Sequence, residues 1–137
     1  MKFPEKYIKD GKRTLHSGGS TDIFYDVNEM LTEDFYFEFI IDAIPKSPHY
    51  VGISTAGAII GRFVSSRRSS AFSMVKDGEL KGYKPTERWI LIDDVVTTGN
   101  SLLEAITLVG TNPEKVVVVM DRRQENINPE VDSIFNI

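Results

Sequence analysis

Cysteine is absent from the 137-residue chain, histidine occurs twice and tryptophan once. Without cysteine there is no disulfide framework, no thiolate nucleophile and no cysteine zinc site, and a reducing compartment is permitted. His16 and His49 stand at no metal-ligand spacing, so both are read as surface residues. No apolar run is long enough to cross a bilayer, and Met1–Tyr7 lacks the apolar core of a secretory signal. The cytoplasm is therefore the expected compartment, with no membrane partner. Basic charge is also short: 16 Lys and Arg against 20 Asp and Glu give a net charge of −4. That balance argues against a general nucleic-acid binder. Repeats, low-complexity tracts and linkers are missing, so residues 1–137 are read as a single domain.

What is present is an alternation of strand and helix signals. Residues 1–22 are polar and turn-rich, and Ile23-Phe24-Tyr25 fits a short strand. Thr32 is a candidate N-cap, followed by Tyr36, Ile40, Ile41 and Ile44 at helical spacing until Pro45 and Pro48 end the helix. Tyr50–Ile53 reads as a strand, Gly57–Val64 as a tightly packed helix and Ala71–Val75 as another strand. Asp77-Gly78 and Lys84-Pro85 are turn signals. Arg88–Ile92 reads as a strand, Leu102–Val109 as a helix closed by Gly110, Val116–Met120 as a Val-rich interior strand, and Val131–Ile137 as a last strand. The pattern predicts an α/β fold, a mostly parallel sheet flanked by helices on both faces. Phe35, Phe37 and Phe39 are core or dimer-contact candidates, and Trp89 a packing residue. Arg62, Arg67 and Arg68 are read as solvated side chains at a helix C-terminus, where the dipole favours cations.

The most informative stretch is residues 90–101, Ile-Leu-Ile-Asp-Asp-Val-Val-Thr-Thr-Gly-Asn-Ser. An apolar strand delivers Asp93 and Asp94 to its carboxyl end, where open α/β sheets hold ligands. Thr97, Thr98, Gly99, Asn100 and Ser101 then offer hydroxyls and backbone N–H groups at a helix N-terminus, an anion cradle. Carboxylates beside a phosphate cradle suit a sugar phosphate. The cradle lacks the Gly-Lys-Ser/Thr ending of a P-loop. A helix N-cap after an acidic strand end, as in response-regulator folds, is the competing reading, but it requires neither the acid pair nor the full Thr-Thr-Gly-Asn-Ser run.

This segment resembles the phosphoribosyl-pyrophosphate (PRPP) motif of type I phosphoribosyltransferases. The resemblance implies that Asp93 and Asp94 hold the ribose hydroxyls, and that Val95, Val96 and Thr97 to Ser101 wrap the 5-phosphate. Three further segments resemble the orotate phosphoribosyltransferases of that family. They are Leu15–Asp26 with its Ser17-Gly18-Gly19-Ser20 loop, Ser54-Thr55-Ala56-Gly57 after a strand, and Val118–Gln124 with Asp121-Arg122. The resemblance implies that Ser54, Thr55, Ala56 and Gly57, with Lys76, meet the pyrophosphate. It implies Arg122 as the base-recognition residue, since a guanidinium fork can bind the orotate carboxylate with two hydrogen bonds. It further implies Mg²⁺ carried on PRPP oxygens, catalytic roles for Asp93, Asp94 and Lys76, a homodimer, a reduced hood over residues 1–26 and a core over 27–137.

Departures from the family pattern are equally specific. Gly19 and Ser20 stand where orotate enzymes usually have a lysine. After the strand that ends at Val75, Lys76-Asp77-Gly78-Glu79-Leu80 replaces an Arg-Lys pair and most of a mobile catalytic loop, with Lys81-Gly82-Tyr83 as a partial substitute. Losing cations over the leaving group removes transition-state stabilisation. Three functions are therefore expected to compete: an orotate-type transferase of pyrimidine nucleotide synthesis, a transferase for another base, and a non-catalytic PRPP or nucleotide regulator.

Overall fold

The computed structural model describes residues 1–11, 22–123 and 128–137. His16, the Ser17–Thr21 loop and Gln124 lie outside them.

The chain opens with a 3₁₀ turn, Glu5–Tyr7, and an antiparallel ribbon of β1 (Ile8–Gly11) and β2 (Asp22–Tyr25). Helices α1 (Val27–Met30) and α2 (Asp34–Ala43) follow, then β3 (His49–Ile53), α3 (Ala56–Arg67), β4 (Ala71–Lys76) and β5 (Glu79–Lys81). The second half comprises β6 (Ile90–Val96), α4 (Asn100–Val109), β7 (Lys115–Asp121) and β8 (Asp132–Phe135). The main sheet has the order β5-β4-β3-β6-β7-β8, and all neighbours run parallel except β4 and β5.

Alternate residues of the interior strands feed two separate cores. Tyr50, Ile90, Ile92, Val117 and Val119 pack with Ile40 and Ile41 of α2 and Ala56, Ile60 and Val64 of α3. Val51, Leu91, Val116 and Val118 pack with Leu102, Ala105 and Val109 of α4. The period of two that a strand imposes thus covers both faces of the sheet, as the pattern predicts. Trp89 is fully buried in the α4-side core, its indole N–H donating to Thr111 Oγ1 at 3.0 Å.

The topology determines where a ligand can sit. From β3 the chain moves outward to β4 on one side, and β6, β7 and β8 build on the other. The strand order therefore switches direction between β3 and β6, which opens a crevice at the carboxyl ends of those two strands. Gly52 and Gly57 let α3 begin directly over this crevice. A Cβ on Gly52 would lie 2.3 Å from the Gly57 carbonyl oxygen, and one on Gly57 2.5 Å from that of Ile92.

Several sequence expectations need correction. Thr32 does not cap the helix that follows; its hydroxyl donates to the Glu29 carbonyl at 2.6 Å and closes α1, which Asp26 caps by accepting from the Glu29 N–H. His49 is buried, not at the surface, because β3 is an interior strand buried from His49 to Gly52; its Nε2 meets Ser73 Oγ at 2.8 Å. Burial holds its pKa below the ordinary imidazole value. Arg68 is not simply solvated: it donates to the Ile41 and Ile44 carbonyls at the end of α2, and to Tyr50 Oη. Arg67 is exposed as expected, in a bidentate pair with Glu38 at 2.6 and 3.0 Å. Of the three phenylalanines, Phe37 packs edge-on against Phe63, Phe39 lies tilted against Phe135, and Phe35 is exposed. No helix among the described residues is long and apolar enough to cross a membrane.

Candidate active site

Because β3, β4, β6 and β7 are parallel, the segments that leave their carboxyl ends emerge at one edge of the sheet. Ser54 and Thr55 leave β3, Lys76 ends β4, Thr97 leaves β6 and Arg122 leaves β7. Sequence positions nearly 70 residues apart are thereby collected without any local signal.

Strand β6 runs further than its apolar run suggests. The main chain of Asp93 to Val96 continues the ladder, with Asp93 opposite Val118 and Val96 opposite Asp121. The acid pair therefore lies inside the strand, toward its carboxyl end, rather than after it. Asp93 is 7% exposed and Asp94 half-buried. Asp93 Oδ1 accepts the Asp94 N–H at 2.8 Å. Burial, and then the neighbouring Asp94 charge, push the Asp93 carboxyl from an ordinary 3.8 up to about 8. One protonated and one half-exposed acid side by side can both donate to and accept from a pair of neighbouring hydroxyls.

The turn after β6 leads into α4. Gly99 adopts φ +91°, which admits glycine without steric cost, and Thr98 Oγ1 accepts the Asn100 N–H at 3.2 Å. Thr97, Thr98, Asn100 and Ser101 are exposed, with Val95 half-buried and Val96 buried beneath them. Amide donors at the start of α4 are thus presented to solvent beside hydroxyl groups.

A cavity of about 350 Å³ joins three of the predicted segments: Ser54 and Thr55, Lys76, and Ser101. Ala56 and Gly57, the other predicted members of the first segment, are buried in the opening turn of α3. Two carboxylates that sequence reading missed, Asp77 and Glu104, complete the wall. Glu104 lies three residues after Ser101 on α4, a helical spacing that could have flagged it.

The segment expected to hold the reduced loop is a hairpin. Lys76 pairs with Glu79 across the Asp77-Gly78 turn, and β5 returns antiparallel along β4, away from the crevice. Lys81 pairs with Glu79, and the Tyr83 carbonyl accepts the Ser73 hydroxyl. Lys81-Gly82-Tyr83 is thus committed to β4 and does not substitute for the loop. Arg122 is held apart from the cavity. Its guanidinium lies 5.0 Å over the Tyr25 ring, and Nη1 donates to the Ile23 carbonyl at 3.3 Å. The hood ribbon therefore forms a wall beside the predicted base-recognition residue. Asp121 pairs with Arg123, not Arg122. No group of three or more His, Cys, Asp or Glu among the described residues is arranged to hold a metal.

No family model matches the chain. It is 28% identical over 134 residues to the orotate phosphoribosyltransferase of Methanothermobacter thermautotrophicus, covering 85% of this chain and 74% of that protein. Its structure resembles that of orotate phosphoribosyltransferase from Aeropyrum pernix, with a TM-score of 0.71 and 23% identity over 85% of this chain and 77% of the other. It also resembles adenine phosphoribosyltransferase from Thermoanaerobacter pseudethanolicus, with a TM-score of 0.70 and 14% identity over 97% of both chains. With its parallel sheet, switch-point crevice and acid-turn-helix segment, the chain has the type I phosphoribosyltransferase fold and is similar in sequence to orotate phosphoribosyltransferases.

Proposed function

We propose that this chain transfers the 5-phosphoribosyl group of PRPP to a pyrimidine base, orotate, and releases pyrophosphate. The observation that carries this reading is the shared crevice. The acid pair, the hydroxyl-rich start of α4 and the Ser54–Lys76–Ser101 cavity all lie at the carboxyl-terminal edge of the sheet, and a sugar bearing two phosphate groups needs one site for its hydroxyls and two for its anions. Similarity to proteins named orotate phosphoribosyltransferase favours orotate among the bases.

In the reaction the bond from C1 to the pyrophosphate oxygen breaks, a bond from C1 to a base nitrogen forms, and the base proton passes to solvent. The protein supplies no covalent nucleophile; it positions the partners and stabilises separated charge. Asp93 and Asp94 hold the ribose hydroxyls, and the Asp94 charge favours a cationic ribose. Ser54, Thr55 and Lys76 meet the leaving pyrophosphate. Asp77, Glu104 and Ser101 are hard oxygen donors beside it, which suits Mg²⁺ held mainly by pyrophosphate oxygens and water. When bound, the ion neutralises charge on the leaving group. Arg122, stacked on Tyr25, is the group assigned to the base carboxylate.

A second reading, a PRPP or nucleotide regulator without turnover, is favoured by the β4–β5 hairpin, which leads away from the crevice. Purified protein with PRPP, Mg²⁺ and a panel of bases separates the readings. Orotate-dependent pyrophosphate release supports the proposal, release with a different base alone reassigns the substrate, and tight PRPP binding without release supports the regulator.

A further inference from the structure

Arg123 is the charged group that the proposed chemistry leaves unused. It follows Arg122 directly, yet its side chain is 6% exposed. Its guanidinium grips Asp121 with two bonds, Nε to Oδ1 at 2.9 Å and Nη2 to Oδ2 at 3.1 Å, and Asp121 Oδ1 also accepts the Arg123 backbone N–H at 3.0 Å. Burial pushes the Asp121 carboxyl up, but the Arg123 hydrogen bonds outweigh it and hold the group below the ordinary carboxylate range. Nη1 also donates to the Pro129 carbonyl at 3.0 Å.

This fork is built against the turn that opens α4. A Cβ on Gly99 would lie 3.3 Å from Arg123 Nη1, 3.4 Å from Pro129 Cδ and 3.9 Å from the Asn128 carbonyl oxygen. The guanidinium and the segment it ties down therefore form the floor on which Gly99 rests. The opposite side of the fork is fixed to the same strand: Asp121 pairs with Val96, and the Arg122 N–H donates to the Val96 carbonyl at 2.8 Å. The Thr97–Ser101 turn is thus clamped between its own strand and Arg123. The Asp121–Arg123 pair is close to neutral as a unit, so it acts through shape more than through a field.

We propose that Arg123 is a positioning residue that holds the Thr97–Ser101 turn in its phosphate-gripping form through contact with Gly99. This rests on the reading of that turn as the 5-phosphate site. Binding at the turn then depends on the fork of Arg123, whereas binding in the Ser54–Lys76 cavity, which takes only Ser101 from that turn, depends on it far less.

Calorimetric titration of the full chain with ribose 5-phosphate and, separately, with pyrophosphate tests this in wild type, Arg123→Lys and Arg123→Met, with thermal melts of each. Ribose 5-phosphate affinity is expected to fall at least tenfold in both variants while pyrophosphate affinity holds. An unchanged affinity for ribose 5-phosphate in a folded variant overturns the inference. Full retention by Arg123→Lys does so too, because charge without the fork would then suffice. Equal losses for both ligands overturn it as well, since they signal general loosening. If Arg123→Met does not fold, Arg123→Lys decides by the same criteria. A wild type that binds pyrophosphate but not ribose 5-phosphate rejects the parent reading before any variant is measured.

Discussion

Replacing Asp93 with asparagine isolates the cost of burying an acid in β6. The carboxyl is 7% exposed and sits at about 8 instead of 3.8, through burial first and the Asp94 charge second. The folded state therefore keeps a proton that the unfolded chain releases above about pH 4. Because the native state binds more protons, stability falls as pH rises from about 4 to about 8 and levels off beyond. At about 1.4 kcal/mol per pKa unit, the three units between 3.8 and pH 7 set an upper bound of about 4 kcal/mol. Asn keeps the oxygen that accepts the Asp94 N–H and removes the titration. Urea denaturation of the ligand-free protein across pH 4–8 should show Asp93→Asn more stable than wild type at pH 7, by about 1–4 kcal/mol, with the two converging near pH 4. The same variant should bind PRPP more weakly by tenfold or more, the pattern expected where a binding site is held at the expense of stability. Parallel stability curves for the two proteins would refute the burial argument, and unchanged PRPP affinity would refute the ribose role.

Other perturbations test separate parts of the structure. Arg122→Ala should raise the orotate concentration needed for half-maximal rate while sparing PRPP binding; steady-state kinetics that move neither would reject the base assignment. Gly52→Ala drives a methyl to 2.3 Å from the Gly57 carbonyl oxygen, so it should cost about 3 kcal/mol or prevent folding, read by chemical denaturation. Ser73→Ala leaves buried His49 Nε2 and the Tyr83 carbonyl without their shared hydroxyl, a loss of about 1–3 kcal/mol in the same assay. His49, held below its ordinary value by burial, should contribute a loss of stability as pH falls below about 6.5, opposing the gain from Asp93, since the unfolded state then binds the extra proton. In His49→Gln that acid-side loss should shrink.

Much of the fold can be read in short runs of residues. The apolar stretch before Asp93, the glycine at 99 and the helical spacing from Leu102 are local chemistry, since a strand, a positive-φ turn and an amphipathic helix each follow from a few consecutive side chains. Gly110 likewise announces the end of α4. The hydroxyls and the Asp93-Asp94 pair of the candidate site are legible in those runs, and the common sheet edge follows from their positions at strand ends.

Other features depended on which elements meet. His49 has no local mark of burial; the pairing of β3 between β4 and β6 hides it. Asp121 could have paired with either arginine, and the Pro129 segment selects Arg123 while Tyr25 of the hood takes Arg122. Glu104 and Asp77 become walls of one cavity because the β4–β5 hairpin folds against α4. The sequence alone determined β3, β4, β6 and β7 with helices α2, α3 and α4, the acid-turn-helix segment and the glycines that shape it, because backbone preference and side-chain period act over a few residues. Tertiary structure decided burial, pairing and the cavity's charge, because those depend on contacts between residues far apart in the chain.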